Sequence, residues 1–187
     1  MLCILSPRSP VLIPPIQMKA LHLLTLAIAI LCGAAQPLCA GEKEKARSVT
    51  SEPLGKLALG QSSAALVKQL GEPESKGKDT LQEATGTRVQ EWKYPAKGIT
   101  IMMESLKAGG AQTVSSMTAT GACQLATARG IKIGSTEAAV KKAYAKERDK
   151  EQTKAGESFT AGSIYDGVIF TFKDGKVSQI FIGAAAE

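Results

Sequence analysis

Apolar positions along the chain change period several times, and those changes mark out the elements. The series Leu57-Ala58-Leu59-Gly60 runs into Gln61-Ser62, and the same pattern returns as Ile131-Lys132-Ile133-Gly134 before Ser135-Thr136. A hydroxyl residue at that place suits a helix N-cap. Four-residue spacing follows at once, with Leu66 and Leu70 in one copy, Val140 and Tyr144 in the other, and Ala65 and Ala139 in equivalent places. Such spacing sets each pair on one helical face. Gly71 is predicted to stop the first helix, and Pro73 bars its continuation. The second helix carries neither signal and is free to run on into the charged stretch from Lys141.

Beyond the helices the period drops to two. Ile99, Ile101 and Met103 fall on one side of a predicted strand that follows Gly98, and Val168, Phe170 and Phe172 fall on the same side of one that follows Gly167. A return strand succeeds each. Asp174-Gly175 is a strong two-residue hairpin turn before Val177 to Ile182, whereas Ala108-Gly109-Gly110 is a looser connection before Val114 to Ala119. Val114-Ser115-Ser116-Met117 matches Val177-Ser178-Gln179-Ile180 position by position. Further strands are predicted over Thr87 to Tyr94 and Phe159 to Tyr165.

The expected fold class is therefore α+β: two tandem repeats, each a helix packed on a three- to four-stranded antiparallel sheet. The units run over 54–121 and 131–187, joined by a linker at 122–130. Residues 75–86, crowded with Ser, Gly and Lys, read as a mobile loop. Each unit has only about seventy residues, a size at which one core is marginal without a disulfide or metal. Burial between the units, as one continuous sheet or as packed faces, is expected to supply the difference.

Ahead of the repeats, residues 1–40 read as a secretory signal. Met18-Lys19 gives a start and a positive charge, Ala20 to Leu31 is apolar except for His22 and Thr25, and small residues follow around Gly33 to Ala35 and at Ala40. The apolar core is about a dozen residues, short of the roughly twenty that span a bilayer. Four prolines precede Met18, so translation is expected to begin there, with cleavage after Ala40 and Ala35 as the second choice. Residues 41–53 then form a flexible N-terminal segment. The exported chain is expected to be periplasmic or secreted, with no stable membrane anchor.

Removing that leader changes the chemistry open to the chain. Of 23 Lys+Arg, Arg8 and Lys19 go with it, leaving 21 against 17 Asp+Glu, a net charge of +4. The charges are interleaved rather than striped, which gives no case for nucleic acid. Cys3, Cys32, Cys39 and His22 are lost as well. Cys123 remains alone, so no internal disulfide, Ser-His-Asp or Cys-His pair, or His/Cys zinc site is available. Asp166, Asp174 and Glu104 could be offered as calcium ligands, but no loop has the oxygen density that calcium needs. Neither phosphate-binding glycine motif occurs. No catalytic residue, metal or cofactor is expected, and the chain reads as a non-enzyme.

The Gly-x-Ser/Thr openings, the helix closing on Leu70-Gly71-Glu72-Pro73 and the later Trp92-Lys93-Tyr94 resemble the SmpA/OmlA outer-membrane-assembly lipoproteins. They are also similar to the tandem repeats of β-lactamase-inhibitory proteins. The likeness covers most of residues 54–183 as two copies. It implies an exported, non-enzymatic protein that binds other proteins. No lipid-attachment cysteine is evident, and the second copy lacks the Gly-x-Pro stop and the tryptophan.

Trp92 and Tyr94 share one strand face and, with Tyr165 before the matching hairpin, are the candidate binding residues, since Trp and Tyr are enriched at binding hot spots. The competing reading packs Trp92 and Tyr94 beneath the helix, and the usual burial of large aromatics weighs towards it. Lone Cys123 reads as a small buried hydrophobe before it reads as a partner-seeking thiol. The expected function is a protein-binding module of the cell envelope, an inhibitor or an assembly accessory, whose partner is another envelope or secreted protein. The alternative is a small-ligand or envelope-polymer binding protein using the sheet face.

Overall fold

The alternating segments do not build two layered units but run together into one sheet. In the computed structural model, which describes residues 52–185, the elements are α1 (Ser63–Leu70), β1 (Ser75–Lys76), β2 (Thr80–Gln82), β3 (Thr87–Tyr94), β4 (Ile99–Ser105) and β5 (Thr113–Thr120), then α2 (Glu137–Ala143), β6 (Ser158–Gly162), β7 (Gly167–Lys173) and β8 (Lys176–Gly183). The eight strands are antiparallel in the order β1-β3-β4-β5-β8-β7-β6, with β2 also on β3. The leader and residues 41–51 lie outside the described residues.

The α+β expectation is thereby corrected. The fold is mostly β, with two short helices over a continuous eight-stranded sheet rather than two helix-on-sheet repeats. Two physical reasons account for it. The helices are only 8 and 7 residues long. Gly71 ends α1 at φ +83, while α2 ends at Ala143, with buried Tyr144 leaving helical geometry as its C-cap at φ −119. In addition, β5 and β8 zip together through Met117↔Ile182, Thr118↔Phe181, Ala119↔Ile180 and Thr120↔Gln179.

That seam is self-complementary. Met117 corresponds to Ile180 and Ala119 to Ile182 in the sequence match, and each pairs with the other's counterpart, so a local twofold passes through Thr118–Phe181. Contacts repeat accordingly. Gly60 N–H donates to the Val114 carbonyl at 2.8 Å and Gly134 N–H to that of Val177 at 2.8 Å. Ser62 and Thr136 cap their helices by accepting from Ala65 N–H and Ala139 N–H. Both long hairpins shift register at the same place, Met102/Met103 and Thr171/Phe172. Ser115 Oγ donates to the Met102 carbonyl and Ser178 Oγ to that of Thr171, both at 3.1 Å, which satisfies a backbone group that the bulge frees.

Turn chemistry sets the hairpins. Asp174 and Gly175 both hold positive φ, +52 and +70, as a tight type I′ turn requires. Gly98 closes a single 3₁₀ turn over Pro95–Lys97 at φ +62, where an added Cβ would sit 2.6 Å from the Thr120 carbonyl oxygen. Segments outside the predicted strands cover both sheet edges. Residues 75–86, expected as a mobile loop, supply β1 and β2 along β3. The chain from Glu147 to Lys154 bridges β6 through Asp149 N–H to Thr160 O and Gly162 N–H to Glu147 O. β6 itself stops at Gly162, short of the expected Tyr165.

One sheet face carries Ile101, Met103, Met117, Phe170, Ile180 and Ile182, and the core forms between it and the helices. Leu66 of α1, Val140 of α2 and Tyr144 are buried against it, whereas Leu70 is half-buried. Leu66→Ala should therefore cost roughly 2–5 kcal/mol and Leu70→Ala less, as read by chemical denaturation. Because the seam joins both halves, the protein should melt in one transition, and a fragment of residues 125–187 should show no cooperative melt by circular dichroism.

Candidate functional site

Trp92 and Tyr94 point into the core, 4% and 1% exposed, and their polar tips are satisfied there. Trp92 Nε1 donates to Gln90 Oε1 at 2.9 Å, and Tyr94 OH donates to the Gly71 carbonyl at 3.2 Å, tying β3 to the end of α1. Lys76 Nζ lies 4.3 Å from the Trp92 ring centroid. Of the two readings of this strand, the packed one that the burial of large aromatics favoured is the one found, and the exposed patch does not form, because position 92 falls on the helix-facing side of the pleat. Tyr165 is 65% exposed, in the turn between β6 and β7. Its neighbours are held rigidly, with the N–H groups of Tyr165 and Asp166 donating to Ser163 Oγ and Ala185 N–H donating to the Ile164 carbonyl.

The sheet face away from the helices is open and breaks the polar rule expected of a solvated face. Val89, Met102, Ile169 and Phe181 all lie on it, half-buried. Phe181 sits between Thr118 and Ile169 across the strands, and Met102 between Glu91 and Ser116. At one end of this face is a cleft of about 730 Å³, walled by Val89, Met102, Phe181 and Ala84, with Glu104, Ser115 and Ser116 among its polar lining. The β2–β3 hairpin flanks it on one side, and Ala184 and Ala185 on the other. The large exposed apolar residues among those described are Leu81, Leu106 and Tyr165, 50%, 87% and 65% exposed. The pairing registers place all three at the cleft end, where β4 and β8 finish and β3, β5 and β7 begin. Sequence reasoning missed Val89, Met102 and Phe181, although large apolar residues at the off-core parity of a strand were the signal.

The other polar concentration is partly buried, where the linker meets α2. Tyr144 OH lies 2.9 Å from Glu52 Oε1 and 2.8 Å from Thr127 Oγ1. Arg129 grips Glu147 with two N–H groups at 2.7 and 3.1 Å, donates to the Ala143 carbonyl and stacks 4.5 Å from the Tyr144 ring centroid. Its Nε lies 3.8 Å from Glu52 Oε2. Burial pushes the Tyr144 phenol well above its usual range. Hydrogen bonds from Arg129 hold the Glu147 carboxyl below the usual carboxylate range. Glu52 Oε2 is buried and accepts no hydrogen bond among the described residues, with only the 3.8 Å approach of Arg129 beside it, so the one unsatisfied atom of the cluster is closed to a reactant. This cluster is a structural tie between residue 52, the linker and α2.

Elsewhere the chemistry is sparse. Cys123 is buried, and burial raises its thiol pKa. Among the described residues no three His, Cys, Asp or Glu side chains gather as a metal would need. Asp174 lies at the opposite end of the sheet from Glu104 and Asp166, so the three considered for calcium are not brought together. No helix among the described residues is long and apolar enough to cross a membrane. No family model, curated protein or solved structure matches the chain.

The tie makes an acid-sensitivity prediction. A depressed carboxyl stabilises the fold fully above its unfolded pKa, about 4.3, and that contribution is lost as pH falls through the lower folded value. Melting temperature should drop below about pH 4.5. Glu147→Gln should lower stability at neutral pH by roughly 1–3 kcal/mol and flatten the acid limb of that profile. An acid limb unchanged in the variant would assign the effect to other groups.

Proposed function

We propose that the chain is an exported, non-enzymatic protein-binding module of the cell envelope, which meets its partner with the cleft end of the sheet. The observation that carries this is that Leu81, Leu106 and Tyr165 lie along the same end of the sheet as the cleft, spread across its strands from β2 to the β6–β7 turn. Large apolar side chains left in water on rigid supports favour association, since little ordering remains to be done on binding. Tyr165 is fixed by the Ser163 turn, and Leu106 precedes a turn closed by Gly110 N–H to Lys107 O and by Ser105 Oγ to the same carbonyl. Short edge strands point the same way, because β1 and β2 offer an added strand only two and three residues of backbone. Export rests on the leader pattern in residues 1–40, and the resemblance of the repeats to envelope-assembly and inhibitory proteins agrees with it.

A second reading, binding of a small ligand or envelope polymer, draws on the cleft itself, whose apolar walls and few polar groups are those of a ligand site. Affinity capture from the native envelope separates the two. Leu106→Asp with Tyr165→Asp should abolish recovery of a protein partner while leaving the melting temperature within about 2 °C, as expected of surface changes. Unchanged capture by that double variant would remove the protein-docking reading and leave the ligand one.

A further inference from the structure

Two carboxylates stand on the strands of this sheet, and they differ in one respect. Glu91 on β3 is paired with Lys93 at 2.8 Å. Glu104 on β4 is half-buried and has neither a cation nor a hydrogen-bond donor among the described residues. Its cross-strand neighbours, Val89 and Thr113, carry no charge. Among the described residues that line the cleft there is no Lys or Arg, and Ser116, also in the lining, makes no side-chain hydrogen bond to the described residues. Met102, Val89 and Phe181 wall the same space.

We propose that this cleft receives a basic side chain of the partner polypeptide, arginine before lysine, with Glu104 as its counter-ion. This rests on the protein-docking reading above and names the chemistry that reading leaves open. A carboxylate beside apolar walls feels a lower dielectric than one in open water, so an entering cation is attracted more strongly than at the outer surface. The alkyl stem of a long basic side chain covers Val89 and Met102 while its head reaches the acid. A guanidinium is favoured because it is more weakly hydrated than an ammonium and carries several N–H donors, so that Ser116, in the same lining, can share it with Glu104. Leu106, two residues past Glu104 along the chain, is the exposed apolar group placed to meet an apolar residue flanking that basic group.

The test uses N-acetyl-arginine amide and its neutral isostere, N-acetyl-citrulline amide, titrated into the ¹⁵N-labelled exported protein. Arginine amide should shift the backbone amides of Glu104, Ser116 and Phe181 along a saturating curve, and citrulline amide should bind at least about tenfold more weakly, the ratio expected of one charge-assisted contact. Glu104→Gln should remove the difference between the probes without moving the melting temperature. Equal response to both probes, a response unchanged in Glu104→Gln, or no response at the cleft would each overturn the inference. If one of those results came with capture that still depends on Leu106 and Tyr165, the cation would be wrong and the docking surface right.

Discussion

The four-pair seam between β5 and β8 decides the rest of the structure. Each half on its own offers a short helix and a small sheet, too little to bury a stable core. Pairing Met117, Thr118, Ala119 and Thr120 with Ile182, Phe181, Ile180 and Gln179 joins the two sheets and lays Met117, Ala119, Ile180 and Ile182 side by side under both helices. The seam is short because each strand also receives the lead-in of its own half. Gly60 and Gln61 bond Val114, and Gly134 and Ser135 bond Val177, so β5 and β8 each exchange one neighbour for another partway along. The cleft is a product of that exchange. Ser115 and Ser116 on β5, with Phe181, Ala184 and Ala185 at the end of β8, line it where the two strands part.

A second constraint locks the joint from the side. The linker is tied into the fold: Gly55 N–H donates to Ala126 O, Leu54 bridges Thr127, and Thr127 N–H donates to Ile131 O. Around it the buried Glu52 and Tyr144 and the half-buried Arg129 and Glu147 form an ionic cluster. Such clusters give little net stability over an apolar replacement, because desolvation offsets the attraction, but removing one member leaves a buried charge exposed to that cost. Their directional bonds admit few alternative packings. Arg129 reaches Ala143 O, Glu147 and the Tyr144 ring only if α2 ends where it does.

How far the sequence foretold this depends on which interaction governed each element. Local signals read well. The caps Ser62 and Thr136, the α1 stop at Gly71, the Asp174-Gly175 turn and the span of β3 all follow from bonds made within a few residues. What misled was long-range. The α+β class assumed that helix and sheet segregate within each unit, yet nothing in the β5 and β8 sequences says whether their free edges face water or each other. Residues 75–86 lack apolar periodicity and became edge strands because β3 needed a partner. At the site, alternation could place Trp92, Tyr94, Ile99 and Ile101 on matching faces but not say which face the helix covers; cross-strand register settles that. Glu104 was weighed only as a metal ligand, since its relation to Met102 and Phe181 exists only across three strands.

The same distribution of covered and uncovered surface limits how a partner can be bound. Strands β1 and β2, only two and three residues long, and the chain from Glu147 to Lys154 form the sheet edges, so little free backbone is left for a partner strand. The helices and lead-ins occupy one face. What is left is side-chain surface, namely half-buried Val89, Met102, Ile169 and Phe181 on the open face and three exposed apolar groups at one end. Side-chain surfaces of this kind discriminate by shape and charge rather than by strand register. A partner must therefore bring a projection that fits the cleft, since an extended strand seeking hydrogen bonds would find few to make. A single acid among the described lining residues gives that fit its sign, and the hydrogen-bonded turns beneath Leu106 and Tyr165 limit the backbone ordering that docking requires.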